Sequence, residues 1–118
     1  MEINEAITAF SQSEKIKAGL IWASQLVEIY SALPEAEKPG AEKVIKAMVG
    51  MIANEILICK KSAPDEIWIE VEKNIDTATV MIHSNVVHEA GFHLTRALTR
   101  VTTIGQRSMS ILKDKGLL

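Results

Sequence analysis

The chain is short of the residues that build β-structure and covalent cross-links. Aromatic residues make up 4% of its 118 positions. Val, Ile and Thr rarely alternate with polar residues over long stretches, which argues against a sandwich or barrel. The single cysteine, Cys59, excludes an intrachain disulfide and fits a reducing, cytoplasmic setting. The opening Met-Glu-Ile-Asn-Glu carries no basic region and no long apolar run, so it does not read as a secretory leader. The longest apolar stretch, Val44 to Cys59, is broken by Lys46, Asn54 and Glu55. It is too short and too polar to span a bilayer, and no membrane partner is expected. Basic excess is missing as well. The formal net charge is -2, whereas a protein gripping a duplex mainly through phosphates is usually basic. There is no phosphate-binding glycine loop, nucleophile elbow, internal repeat or low-complexity segment.

What is present is helix chemistry. Hydrophobic residues reach 47% and charged residues 24%, near the globular average. Ala, Ile, Leu, Met, Glu and Lys fill most windows, and all but β-branched Ile rank high in helix propensity. The length suits one domain with one core. We therefore expect a single all-α domain over residues 1–118, an antiparallel up-and-down four-helix bundle.

The first helix is expected from about Ile3 to Leu33, with Ile16, Leu20, Ala23, Val27 and Tyr30 on one stripe and a break near Ser11–Glu14. Pro34 ends it, and Pro34 to Gly40 reads as a loop. The second helix, about Ala41 to Lys61, is apolar over most of its circumference, with Lys43, Lys46, Lys60 and Lys61 on one edge. Such a helix lies at the centre of a bundle or faces another subunit. Asp65 or Ser62 is positioned to cap the third helix, which runs to about Val87 with Trp68, Val71, Ile75, Ala78, Ile82 and Asn85 as its stripe. Gly91 is the expected turn before a fourth helix that ends near Lys115. Charge is uneven: Asp65, Glu66, Glu70, Glu72, Asp76 and Glu89 face the lone Lys73 in one stretch, and Arg96, Arg100, Arg107, Lys113 and Lys115 dominate the next.

Few residues suggest chemistry. His83, His88 and His93 recur every five residues, which turns each about 140° from the last on a helix, so they do not converge. His88-Glu-Ala-Gly-Phe92 lacks the second histidine that a zinc-protease motif needs at position 92. Glu72, Asp76 and His83 share a face, but no Glu-x-x-His pair accompanies them as in dimetal bundles. No metal, cofactor or catalytic residue is assigned. Glu55 stands out, because it falls within the stripe of Val44, Ile45, Met48, Met51, Ile52 and Cys59. A carboxylate there must be paired, hydrogen-bonded or protonated. It is expected to be a buried structural carboxylate paired with an arginine such as Arg100, to sit exposed at a subunit interface, or to be an acid with a raised pKa. Arg96, Arg100 and Arg107 share one side of the fourth helix. They read as a nucleic-acid contact strip, or as a solvated face that pairs with the acidic third helix. Gly50, Ala53 and Gly105 are expected where another backbone comes close.

The order of landmarks resembles a known family. Trp22 and Tyr30 are followed by Pro34 and Glu37, Ala47, Met51-Ile-Ala-Asn54, Lys60-Lys-Ser62, Glu66-Ile67 and Ile104-Gly105. This is similar to the four-helix-bundle proteins encoded in intervening sequences of large-subunit ribosomal RNA genes. It is also similar to the related accessory variability determinant of diversity-generating retroelements. The resemblance spans roughly residues 20 to 113. It implies an antiparallel four-helix bundle in a ring-like homopentamer and, for the accessory protein, a basic surface that binds nucleic acid and a reverse transcriptase. The acidic net charge departs from that pattern, and so does Asn54-Glu-Ile-Leu-Ile58, where the family has Asn-Ile-x-Glu-Gly. From the residues themselves the leading expectation is a non-enzymatic, homo-oligomeric scaffold or interaction protein. The alternatives are a nucleic-acid-binding accessory protein and a small metal- or carboxylate-dependent enzyme.

Overall fold

The computed structural model describes residues 1–118. It contains four helices and no strand: α1 (Ile3–Ala32), α2 (Lys38–Ser62), α3 (Ile67–His83) and α4 (Val87–Asp114). Each helix packs on its sequence neighbours, and α4 packs on α1 to close the bundle. The molecule measures 53 × 21 × 18 Å, a slender rod with a nearly square cross-section. No helix is long and apolar enough to cross a membrane.

The helical stripes predict the core well. Ile16, Leu20, Ala23 and Val27 of α1 are buried, as are Ile45, Val49, Ile52, Ile56 and Cys59 of α2. They meet Trp68, Val71, Ile75, Ala78 and Ile82 of α3, and Leu94, Ala97, Val101 and Ile104 of α4. Antiparallel neighbours follow from connections of only three to five residues.

Four expectations about local structure need correcting. First, α1 runs unbroken through Ser11 and Ser13. Ser13 is buried and donates its hydroxyl to the Phe10 carbonyl at 3.0 Å, so its polar group is satisfied within the helix. Second, Pro39 and Gly40 belong to the first turn of α2. Proline fits there, because the missing N–H has no helical acceptor at that position.

Third, the turn before α4 lies at Ser84–Val86, and Gly91 is inside the helix. Asn85 has φ 63, a left-handed conformation that Asn tolerates better than most residues. Its N–H reaches the Ile82 carbonyl at 3.2 Å and the Val86 N–H reaches Met81 at 3.0 Å. These two bonds form a Schellman cap, which satisfies the last carbonyls of α3. Gly91 instead lies close to α1, where a Cβ would stand 3.6 Å from the Val27 side chain.

Fourth, α2 buries only one stripe. Val44, Met51, Leu57 and Ile58 stand 46–60% exposed, so α2 is a corner helix and not the centre of the bundle. Asp65, not Ser62, serves the start of α3: its carboxylate accepts the Ile67 N–H at 3.0 Å. The Ser62 hydroxyl turns back to the Ile58 carbonyl at 2.8 Å.

Candidate functional site: the polar seams and the outer face of the second helix

Glu55 lies on the seam between α1 and α2. Lys15 Nζ donates to its Oε1 at 2.9 Å and Gln12 Nε2 to its Oε2 at 3.2 Å. Its side chain keeps 26% of its exposure. It is therefore neither fully buried nor bound to Arg100. The Lys15 and Gln12 donors hold its carboxyl below the usual carboxylate range, outweighing the effect of partial burial. The expectation of a raised pKa is thus reversed.

A depressed carboxyl pKa stabilises the fold above the unfolded pKa, and that stabilisation is lost as pH falls through the folded value. Lys15 is 60% exposed, so the pair contributes at most about 1 kcal/mol. Glu55→Gln is expected to lower stability at pH 7 by that amount or less. It should also flatten the loss of stability below about pH 4.3, which urea unfolding at pH 7, 5 and 3 would measure.

The arginines are occupied in three ways. Arg107 Nη1 donates to Asp65 Oδ2 at 2.9 Å, so Asp65 joins the start of α3 to α4. Arg100 Nε donates to Oδ1 of the buried Asn74 at 3.1 Å, turning inward along the α3–α4 seam. Arg96 is exposed, its guanidinium carbon 5.7 Å from the Phe92 ring centroid. Asp65 and Asn74 thus bind two of the three arginines to the α3 side of the bundle, and Arg96 alone faces outward beside an exposed aromatic ring. Phe92 was not part of the strip expected from sequence.

The remaining candidates do not converge. His83 ends α3 and His88 opens α4, both exposed, while His93 packs edge-on to Phe92 with ring centroids 5.3 Å apart. Glu72 accepts two hydrogen bonds from Lys60, each 3.0 Å. No cluster of three His, Cys, Asp or Glu side chains is placed to hold a metal. Burial pushes the Cys59 thiol up to about 11, which leaves it protonated and unreactive at neutral pH. An open polar hollow of about 640 Å³ is lined by Tyr30, Glu35, Lys38, Glu42 and His88.

The outer face of α2 is different in kind. Val44, Ala47, Met51, Asn54, Ile58 and Lys61 alternate at spacings of three and four residues, and all are exposed. This is the seam spacing of a coiled coil, but here it faces away from the molecule's own core. Gly50 lies on the same face, and a Cβ there would meet nothing within 4 Å. The helix thus carries a glycine that costs about 1 kcal/mol of propensity against alanine, with no close contact inside the chain that requires it. Lys43 and Lys61 stand towards the two ends of this face, both exposed.

These features define an all-α four-helix bundle with tied polar seams and one open apolar corner. Compared with protein-family models, curated proteins and solved structures, the chain matches none. The likeness to the intervening-sequence and accessory-determinant bundles accordingly rests on the short motifs quoted for it.

Proposed function

We propose that this protein is a non-enzymatic scaffold that works as a homo-oligomer, assembling through the outer face of α2. The observation that carries the reading is the exposed three-four repeat from Val44 to Lys61, with Gly50 open beside it. Trp22 extends the apolar surface onto α1. It lies one turn beyond Gly19, which approaches Ile52 of α2, and it is 58% exposed. Large apolar and aromatic side chains carry ~150–250 Å² each. Half-exposed Trp22, Ile29, Val44, Met51, Leu57 and Ile58 therefore present on the order of 500 Å² of apolar surface. That is near the upper end for a monomer's largest patch. With a polar rim it approaches the ~800 Å² per partner of a stable interface.

Native mass spectrometry and light scattering test the reading. The wild-type chain is expected to form one discrete oligomer, and a pentamer would also support the family resemblance. Met51→Glu should dissociate it without loss of helix content. Gly50→Ala should act in opposite directions, raising the stability of the dissociated chain by up to about 1 kcal/mol while weakening assembly. A wild-type chain that stays monomeric at high micromolar concentration would overturn the proposal.

One observation favours a second reading, contact with single-stranded nucleic acid through α4. An exposed Phe92 ring with Arg96 over it is a stacking element beside a cation. On this reading, RNA binding at low salt falls steeply as salt rises, and Phe92→Ala weakens it more than Arg107→Ala, because Arg107 is held by Asp65. Absence of binding at ~50 mM salt, where phosphate contacts are strong, would remove it.

A further inference from the structure

We infer that the surface meeting the outer face of α2 in the oligomer is the outer face of α3 on a second copy. This would be a head-to-tail contact and not a two-fold pairing of α2 with α2. The inference rests on the self-assembly reading above and names its contact.

The two faces are complementary in charge and alike in apolar content. The outer face of α2 carries Lys43 and Lys61 around Val44, Met51 and Ile58, with no exposed acid. The outer face of α3 carries Glu66, Glu70 and Asp76 against the single Lys73, with Ile69 47% and Val80 60% exposed among them. Glu70 lies 3.8 Å from Lys73, while Glu66 and Asp76 have no ion-pair partner within the chain. A two-fold pairing of antiparallel α2 helices centred near Ile52 would set Lys43 of one copy against Lys61 of the other. Like charges at both ends oppose that contact, whereas α3 offers opposite ones.

Geometry supports the same arrangement. In the nearly square cross-section of 21 × 18 Å, the outward faces of the neighbouring corners α2 and α3 diverge by roughly a right angle. Each added copy then turns in the same sense about the long axis, so the series closes into a small ring and does not run on as a filament. Rotation about that axis preserves height along the bundle. Lys60 and Glu72, bonded at 3.0 Å within one copy, fix the relative height of α2 and α3. Counting equally along each helix from that pair puts Lys61 level with Val71, beside Glu70. It also puts Met51 level with Met81, beside Val80. The contact thus sets lysine against glutamate and methionine against valine.

Charge reversal tests the inference by native mass spectrometry across a dilution series, with circular dichroism to confirm that the fold is kept. Lys61→Glu and Glu70→Lys, both at exposed positions, are each expected to weaken assembly about tenfold or more. Combining the two reversals in one chain should restore assembly. The charges are then exchanged across every interface, so each again meets its opposite whatever the number of copies in the ring. If Glu70→Lys assembles like wild type, or the double variant stays dissociated, the α2–α3 contact is wrong. Dissociation by Met51→Glu would then still uphold self-assembly. A wild-type chain that never assembles overturns both.

Discussion

Replacing Trp68 with alanine is expected to cost the folded protein about 3–5 kcal/mol, the range for removing a large aromatic from a packed core. Trp68 is fully buried and is the largest side chain in the core. It stands in the first turn of α3, in the same core cluster as Cys59 and Ala63 beside the α2–α3 turn. Its indole N–H is buried without a hydrogen-bond partner, and such a group carries a desolvation cost of about 1–3 kcal/mol. Trp68→Phe should therefore destabilise much less than Trp68→Ala, because the smaller ring loses packing but removes the unpaired donor. Urea or guanidinium unfolding of the three proteins at pH 7 would measure this. Equal losses for Phe and Ala would show that the indole N–H costs nothing in place.

Gly105→Leu is expected to destabilise by roughly 1–3 kcal/mol or more, the range for overpacking a dense interior. Gly105 is buried on the α1–α4 seam, where a Cβ would already stand 3.1 Å from the Ser13 hydroxyl oxygen. Small residues line both sides: Ala6, Ala9 and Ser13 on α1, and Gly105 and Ser108 on α4, all buried. The hydroxyls do not bridge the seam. Ser13 bonds the Phe10 carbonyl and Ser108 bonds the carbonyls of Ile104 and Gly105, each at 3.0 Å. The backbones can therefore come close without stranding a polar group. Gly105→Ala in a Ser13→Ala background separates the two effects of the glycine. With the oxygen gone, the added methyl should be tolerated, and the variant should recover part of the ~1 kcal/mol of helix propensity that glycine forfeits. Thermal unfolding of the single and double variants checks the sign.

The fold class was legible because the helices show stripes at helical spacing; those of α1 and α3 are buried except for Tyr30 and Asn85, whereas in the α2 stripe Val44 and Met51 stand exposed. Helix ends were less legible for a physical reason. Gly91 and Asn85 are both residues that favour turns, and sequence alone does not say which is used. Gly91 lies inside α4, where a Cβ would make only ordinary contact with Val27, while Asn85 supplies the left-handed residue of the cap. The Ser84-Asn85 pair was the available signal. Glu55 stands out in the sequence as a carboxylate that needs a partner, but its partners Gln12 and Lys15 lie some forty residues away on another helix. Only the register of α1 against α2, set by Gly19 over Ile52, brings them together. The arginines carried two readings, a nucleic-acid strip or pairing with the third helix, and the sequence does not choose between them for the same reason. Arg96, Arg100 and Arg107 do share a side of α4, but Asn74 and Asp65 reach two of them through a register that no local pattern encodes.

The most extensive seam in the bundle joins α1 to α4. On α1, Ser13 meets Gly105 of α4 within a run of buried small residues that includes Ala6 and Ala9. During synthesis, α1 can make a hairpin with α2, and α3 can add to it, but the side of α1 that fits Gly105 and Ser108 stays open until the fourth helix has left the ribosome. The bundle is thus completed by α4. Until then the sides of α1 and α3 that await α4 stand open together with the outer face of α2, and the order in which they are covered decides whether monomers close before they associate.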